Sequence, residues 1–393
     1  MSKTVYEKSL ELHQKHAGKL CVAPKVPCDS AEDLSYAYTP GVAEPCRKIH
    51  ENPENSYVYT DRGNIVAVIT DGTAVLGLGD IGPEAAMPVM EGKALLLKRF
   101  AGIDSWPLCL NTKDPEEIIS ICKALEPSFG AINLEDISAP RWVEIERRLI
   151  QEMHIPVFHD DQHGTAIVVL AALINALKLK GSTPQEVKVV VSGTGAAGSS
   201  IIRMLYNYGF THIYAFEIDG CLCKSHAEDY NSLKKELLEY VNLDDQEYGS
   251  LAEGMKGADI FIGVSAPGIV TKEMVASMNE KNIVFSMANP EPEIRYEDAK
   301  EAGAWIIGTG RSDYPNQVNN LLAFPGVFRG ALDAHATKIT EGMKLATSKA
   351  IASLVDEKDL RRDYIIVSPF DERVVPAISK AVQEQAVKEG VIR

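Results

Sequence analysis

The 393-residue sequence predicts an α/β protein of two domains. An N-terminal α/β domain occupies residues 1–162, and a doubly wound parallel sheet with C-terminal helices occupies residues 163–393. Three observations predict this. Apolar, β-branched runs alternate with helical patterns along the chain, the pattern of parallel sheets with helical crossovers. A glycine-rich turn joins a strand to a helix near the middle. Two acidic pairs stand just past the ends of two apolar strands, the edge where open α/β sheets bind ligands.

In order, Asn64–Thr70 reads as a strand, Glu84–Phe100 as a helix and Leu108–Leu110 as a short strand. Pro115–Leu125 reads as a helix, Phe129–Leu134 as a strand ending in Glu135-Asp136, and Arg141–Met153 as a helix. Pro156–His159 is a strand ending in Asp160-Asp161, and residues 164–180 form one long apolar helix linking the domains. Gly181-Ser182-Thr183-Pro184 breaks it. A second series follows: strand Val187–Val191, helix Ser199–Tyr208, strand His212–Phe216, then strands at Asp259–Gly263, Ile283–Ser286 and Trp305–Gly308. The residues after about 326 read as mostly helical and carry no catalytic signal.

Composition narrows the function. The apolar fraction of 45% and charged fraction of 24% suit a globular enzyme. A net charge of −15 lacks the basic footprint of nucleic-acid binding. The longest apolar run, Ala166 to Leu177, is too short for a membrane span. The N-terminal twenty residues are charged and lack a secretory apolar core. Seven cysteines, an odd number without a CxxC, fit a reducing compartment. The expected location is the cytoplasm.

The turn Gly193-Thr194-Gly195-Ala196-Ala197-Gly198 follows a strand, opens a helix and has an acid, Glu217, at the end of the next strand. This is the context of a Rossmann-type dinucleotide turn. The first glycine makes the turn, the second admits the pyrophosphate, and the third packs helix on strand. Glu217 and Asp219 are acidic, and along the sequence no cation follows until Lys224. Acids suit a ribose 2′-hydroxyl and repel a 2′-phosphate, so NAD is expected over NADP. A second match, Gly77-Leu78-Gly79-Asp80-Ile81-Gly82, lacks the strand-end acid and reads as a backbone turn beside an active site.

Four carboxylates at two strand ends, Glu135, Asp136, Asp160 and Asp161, repel one another unless a cation or protons intervene. Oxygen donors suit Mg²⁺ or Mn²⁺. Lys93 is the one lysine in Met87–Leu97 and projects from an apolar helix face. It is either a desolvated base with a lowered pKa or a stem that snorkels to water.

Six motifs in order resemble the malic enzyme family, in particular its short, prokaryote-type branch. They are Tyr38-Thr39-Pro40-Gly41-Val42, Gly77 to Gly82, Glu91-Gly92-Lys93, Asn133-Leu134-Glu135-Asp136, Asp160 to Ala166 and Tyr314 to Asn320. The resemblance implies an N-terminal malic-enzyme domain before the Rossmann-type one. It implies a metal held by Glu135, Asp136 and Asp161 with Asp160 beside them, Lys93 as general base and Tyr38 as proton donor. Asn289 and Asn319 then line the substrate and nicotinamide region, and Ser265 stands at a strand end beside the dinucleotide turn. The implied reaction oxidises malate and decarboxylates it to pyruvate by way of oxaloacetate. A decarboxylase of oxaloacetate within the family, or a non-catalytic NAD-sensing protein, are the alternatives. Members are usually at least dimers, and Tyr38 lies where a neighbouring chain could complete the site. The stretch Gly72-Thr73-Ala74-Val75-Leu76 lacks the arginine with which larger members grip a substrate carboxylate.

Overall fold

The computed structural model describes residues 3–75 and 77–393; Leu76, the end of the arginine-less stretch, lies outside them. The first sheet has β1 (Ile65–Thr70), β2 (Asp104–Cys109), β3 (Ala131–Leu134) and β4 (Val157–His159), in the order β2-β1-β3-β4 and wholly parallel. The second has β5 (Lys188–Ser192), β6 (His212–Glu217), β7 (Gly220–Cys221), β8 (Ile260–Gly263), β9 (Ile283–Ser286) and β10 (Ile306–Thr309), in the order β10-β9-β8-β5-β6-β7. Every residue of β1 is buried, as expected where helices cover both faces of a parallel sheet.

Three details depart from the sequence expectation. β7 runs antiparallel to β6, because only two residues, Ile218 and Asp219, separate them, and such a link cannot make a parallel crossover. β2 begins at Asp104 and carries Pro107 within it, which an edge strand tolerates. The long helix is Asp160–Lys180, one turn earlier than expected, so Asp160 and Asp161 lie in its first turn rather than in a loop. Free N–H groups there favour negative side chains.

That helix is apolar on all sides because it is enclosed on all sides. By length and composition it could cross a membrane, yet 72% of its apolar window is buried inside the chain. Asn175, which interrupts the apolar run, donates to the carbonyls of Ala352 and Ile365 at 2.9 Å each. The main core runs from Val66, Met90 and Leu97 through this helix to Val189 and Ile260 of the second sheet. The helices Phe324–Asp333, Glu341–Ser353 and Val374–Glu389 close it from the C-terminal side.

The first fifty residues differ. The helices Val5–His16, Ala31–Ala37 and Ala43–Glu51 bury no residue. Lys19 ties this arm to the body, donating its N–H to Glu91 at 3.1 Å and its ammonium to the Pro88 carbonyl at 2.6 Å.

Candidate active site

The strand ends of the two sheets face each other. A Cβ on Gly77 would stand 3.0 Å from Pro290 and 3.2 Å from the Asn289 carbonyl, so the second glycine-rich turn approaches the loop after β9 backbone to backbone. It is a packing turn at the site. Arg141 braces the adjoining loop, donating to Asp71 at 2.7 Å and Thr73 at 2.8 Å, so its guanidinium is already engaged.

β3 delivers Glu135 and Asp136, and the start of the Asp160–Lys180 helix delivers Asp161. One oxygen from each lies within 4.8 Å of the others. Asp136 adopts φ 53°, a left-handed conformation that aspartate tolerates better than most residues. Its N–H donates to Asp161 Oδ2 at 2.8 Å, and its carbonyl accepts from the Ala74 N–H at 3.0 Å. Glu135 accepts from the Asn133 amide at 2.8 Å. Burial first, and then the charge of Asp161, push the Glu135 carboxyl well above its ordinary range. Three carboxylates crowded within reach of one another form a set of oxygen donors that a hard divalent cation fits.

Lys93 is the central cation. It is 8% exposed, with its ammonium 2.6 Å from Asp160 Oδ2 and 2.8 Å from Glu135 Oε1. The Phe324 ring lies 4.6 Å away. The side chain is therefore neither snorkelling to water nor an unpaired amine in an apolar pocket. Burial alone pulls its proton affinity down, but Asp160, Glu135 and Asp161 outweigh burial and hold the pKa above the ordinary lysine range. The expectation of a lowered pKa is corrected for the chain without a cation, because apolar periodicity on one helix does not reveal carboxylates brought in by two others.

Asp160 is fully buried and also accepts from Asn320 at 2.6 Å. Burial raises its pKa. A Cβ on Gly164 would land on Asp160 Oδ1, so a helical position one turn on must be glycine for the acid to keep its place.

The dinucleotide turn is formed as expected, with its helix, Ala196–Tyr208, starting three residues earlier. Gly193 has φ 97°, and a Cβ there would stand 2.7 Å from the Val264 carbonyl and 3.0 Å from Ser265. A Cβ on Gly198 would strike the Gly193 carbonyl, whereas one on Gly195 would meet nothing within 4 Å. The open side at Gly195 is the cradle a pyrophosphate needs, so the residues fit a dinucleotide. Glu217 accepts from the Thr194 N–H at 2.9 Å and from its hydroxyl. Ser265 hydrogen bonds the Ser192 hydroxyl at 2.9 Å and donates its N–H to Glu293 at 2.8 Å.

Two expected residues do not join the cluster. Tyr38 caps the helix Ala31–Ala37 and is 66% exposed in the single chain. Asn319 turns its carboxamide oxygen to the Leu321 N–H at 2.9 Å; its neighbour Asn320 reaches Asp160 instead. Asn289 is exposed at the junction of the two sheets. Phe324, Asn320 and Glu293 were missed. Asn320 had a signal in its motif, but Phe324 and Glu293 carry none that one sequence displays.

A dinucleotide turn facing a buried lysine among carboxylates defines a nicotinamide-dependent oxidoreductase. Comparison with known proteins agrees. The family described as "Malic enzyme, N-terminal domain" matches residues 17–150, and "Malic enzyme, NAD binding domain" matches residues 162–389. The bifunctional malic/malolactic enzyme of Bacillus subtilis is 56% identical over 98% of this chain and 94% of its own length. An NADP-dependent malic enzyme of Halomonas elongata is 44% identical over 98% and 94%. The solved NAD-dependent malic enzyme of Thermotoga maritima has a TM-score of 0.91 and 49% identity, covering 95% of this chain and 98% of that one. The chain belongs to the malic enzyme family, and its activity is the oxidative decarboxylation of malate with NAD or NADP as acceptor.

Proposed function

We propose that Glu135, Asp136 and Asp161 hold one divalent cation, Mg²⁺ or Mn²⁺, and that Lys93 takes the hydroxyl proton of malate beside it. The observation that carries this is the Lys93 ammonium placed between Asp160 and Glu135 at the edge of a three-carboxylate cluster. When bound, such an ion orients the substrate and polarises the oxygen at C2. Lys93 keeps its proton while Glu135 and Asp161 remain uncompensated, and releases it more easily once their charge is engaged in ligation. Asp160 is a positioning residue: one of its oxygens is engaged by Lys93 and Asn320, and it aims the amine. The turn from Gly193 to Gly198 holds the cofactor, with Ser265, Asn289 and Asn319 on its nicotinamide side. Glu217 binds the ribose and favours NAD over NADP.

Tyr38 donates the proton at C3 from a partner chain in a homodimer. The exposed arm supports this. Val5, Tyr6, Leu10, Val22 and Val26 are each at least 60% exposed. The chain exposes 18746 Å², whereas a compact monomer of its size exposes roughly 15,000 Å². A surplus of that order, carried by an apolar arm, fits a surface covered in an oligomer. The cytoplasm is the proposed location, since all seven cysteines are free.

The test is removal of the metal. EDTA should abolish malate-dependent reduction of NAD, and Mn²⁺ or Mg²⁺ should restore it. Asp136→Asn and Asp161→Asn should weaken Mn²⁺ binding while NAD binding, read by calorimetry, persists. Full activity in stripped protein would contradict the proposed site.

A further inference from the structure

The helix Arg141–Glu152 buries one stripe, Trp142, Ile145, Glu146 and Leu149, spaced at three and four residues. Three of these belong to the apolar core on that face of the first sheet; the fourth is an acid only 3% exposed. A carboxylate on a core face is costly unless its oxygens are bonded. Those of Glu146 are, and the partners lie in one place: the strand-to-helix turn that carries Asp160 and Asp161. Glu146 accepts from the His159 N–H at 3.0 Å, the Gln162 side-chain amide at 2.6 Å and His163 Nε2 at 2.9 Å.

That turn has no cap of its own. The helix Asp160–Lys180 starts after His159, which makes no side-chain cap bond. Its two first-turn acids are turned to other partners, Asp160 to Lys93 at 2.6 Å and Asp161 Oδ2 to the Asp136 N–H at 2.8 Å. The turn is held from outside instead. Lys344, 4% exposed on the helix Glu341–Ser353, donates to His163 Nδ1 at 3.0 Å, which leaves the Nε2 proton for Glu146. Lys344 also pairs with Glu341 at 2.7 Å. A clamp thus runs from a C-terminal helix through His163 and Glu146 to the backbone of His159.

We propose that Glu146 is a positioning residue for the cation site: it fixes the turn from which Asp161 is presented, and Lys344 acts through His163 to hold Glu146 in place. Glu135 and Asp136 follow directly from β3, whereas Asp161 comes from the start of a helix. The place of Asp161 relative to the other two therefore depends on that turn. Hydrogen bonds to an ionised acceptor are the strong ones, and partners that orient a ligand from outside tune the affinity for the metal. The inference rests on the reading of Glu135, Asp136 and Asp161 as ligands of a divalent cation.

The test titrates Mn²⁺ into the full-length protein by calorimetry, with NAD titrated separately, so no turnover is involved. Glu146→Gln keeps the shape but sets a donor against the Gln162 amide. It should weaken Mn²⁺ about 10–100-fold and leave NAD within about twofold. Exchanging the two groups, Glu146→Gln with Gln162→Glu, puts a donor opposite an acceptor again and should recover most of the Mn²⁺ affinity. Gln162→Met, the milder change, removes one of the three bonds and should show a smaller loss of the same kind. An unchanged Mn²⁺ affinity in Glu146→Gln and Gln162→Met would overturn the role of Glu146. So would an equal loss for Mn²⁺ and NAD, since a general loosening of the fold spares neither ligand. No binding of Mn²⁺ to wild type would overturn the cation site itself, and the inference with it.

Discussion

Lys93 Nζ and Asp160 Oδ2 lie 2.6 Å apart, and both residues are buried, at 8% and 0% exposure. The pair joins the helix Pro83–Ala101 to the first turn of Asp160–Lys180. An amine held this way points in one direction, toward the carboxylates proposed as ligands. Removing Asp160 should therefore misaim Lys93 without removing a metal ligand. Asp160→Ala should lower kcat by about 10²–10⁴, the usual worth of a general base. Mn²⁺ affinity, measured by calorimetry, should stay near wild type. A parallel collapse of Mn²⁺ affinity would make Asp160 a ligand instead.

Gly164 guards the same acid. A Cβ there would meet Asp160 Oδ1 and stand 2.9 Å from Asn320 Cβ. Gly164→Ala should thus resemble Asp160→Ala in rate, with a further loss of about 1–3 kcal/mol in stability from overpacking. Urea unfolding reports the second effect. A variant of normal rate would show that Asp160 can move without consequence.

Beside the site, Glu146 is a buried acid with a different task. It accepts from the His159 N–H at 3.0 Å, the Gln162 amide at 2.6 Å and His163 Nε2 at 2.9 Å. Burial raises its pKa, but His163, Lys344 and His159 lower it more, to about 2. Burial depresses the pKa of His163 below its ordinary 6.5. Both folded pKa values lie below the unfolded ones, so the unfolded chain binds more protons and stability falls as the pH is lowered. The loss should begin below pH 6.5 with His163 and continue from 4.5 toward 2 with Glu146. The Glu146 part amounts to about 3 kcal/mol. Glu146→Gln should be less stable than wild type at neutral pH, with the gap shrinking as acid is added. A gap that stays constant from pH 7 to pH 3 would refute this.

The architecture was largely legible in the sequence because most strands are short apolar runs, and β3, β4 and β6 end at or beside acidic residues. Asn64–Thr70 and Ile283–Ser286 were read almost to the residue. β7 was not, since two residues carry no period. The cluster of Glu135, Asp136 and Asp161 was legible because two acidic doublets ended two strands. The pKa of Lys93 was not, because it depends on carboxylates far along the chain.

The position of Tyr38 yields a prediction about pairing. If the tyrosine serves a neighbour's site, Tyr38→Phe and Lys93→Ala proteins, each impaired in converting malate to pyruvate, should complement when unfolded and refolded together. Random pairing gives about a quarter of the wild-type sites a lysine from one chain and a tyrosine from the other. No recovery in a mixture that forms heterodimers would place Tyr38 and Lys93 of one chain in one site.

The division of labour between the two residues is tested most directly by partial reactions. With oxaloacetate as substrate, NADH loss reports reduction and pyruvate formation reports decarboxylation. Lys93→Ala should lose malate oxidation and oxaloacetate reduction by about 10²–10⁴ while decarboxylation of added oxaloacetate suffers less. Tyr38→Phe should keep oxaloacetate reduction and release pyruvate slowly. Equal loss of oxaloacetate reduction in the two variants would contradict the assignment of Lys93 as the base at the hydroxyl and Tyr38 as the acid at C3.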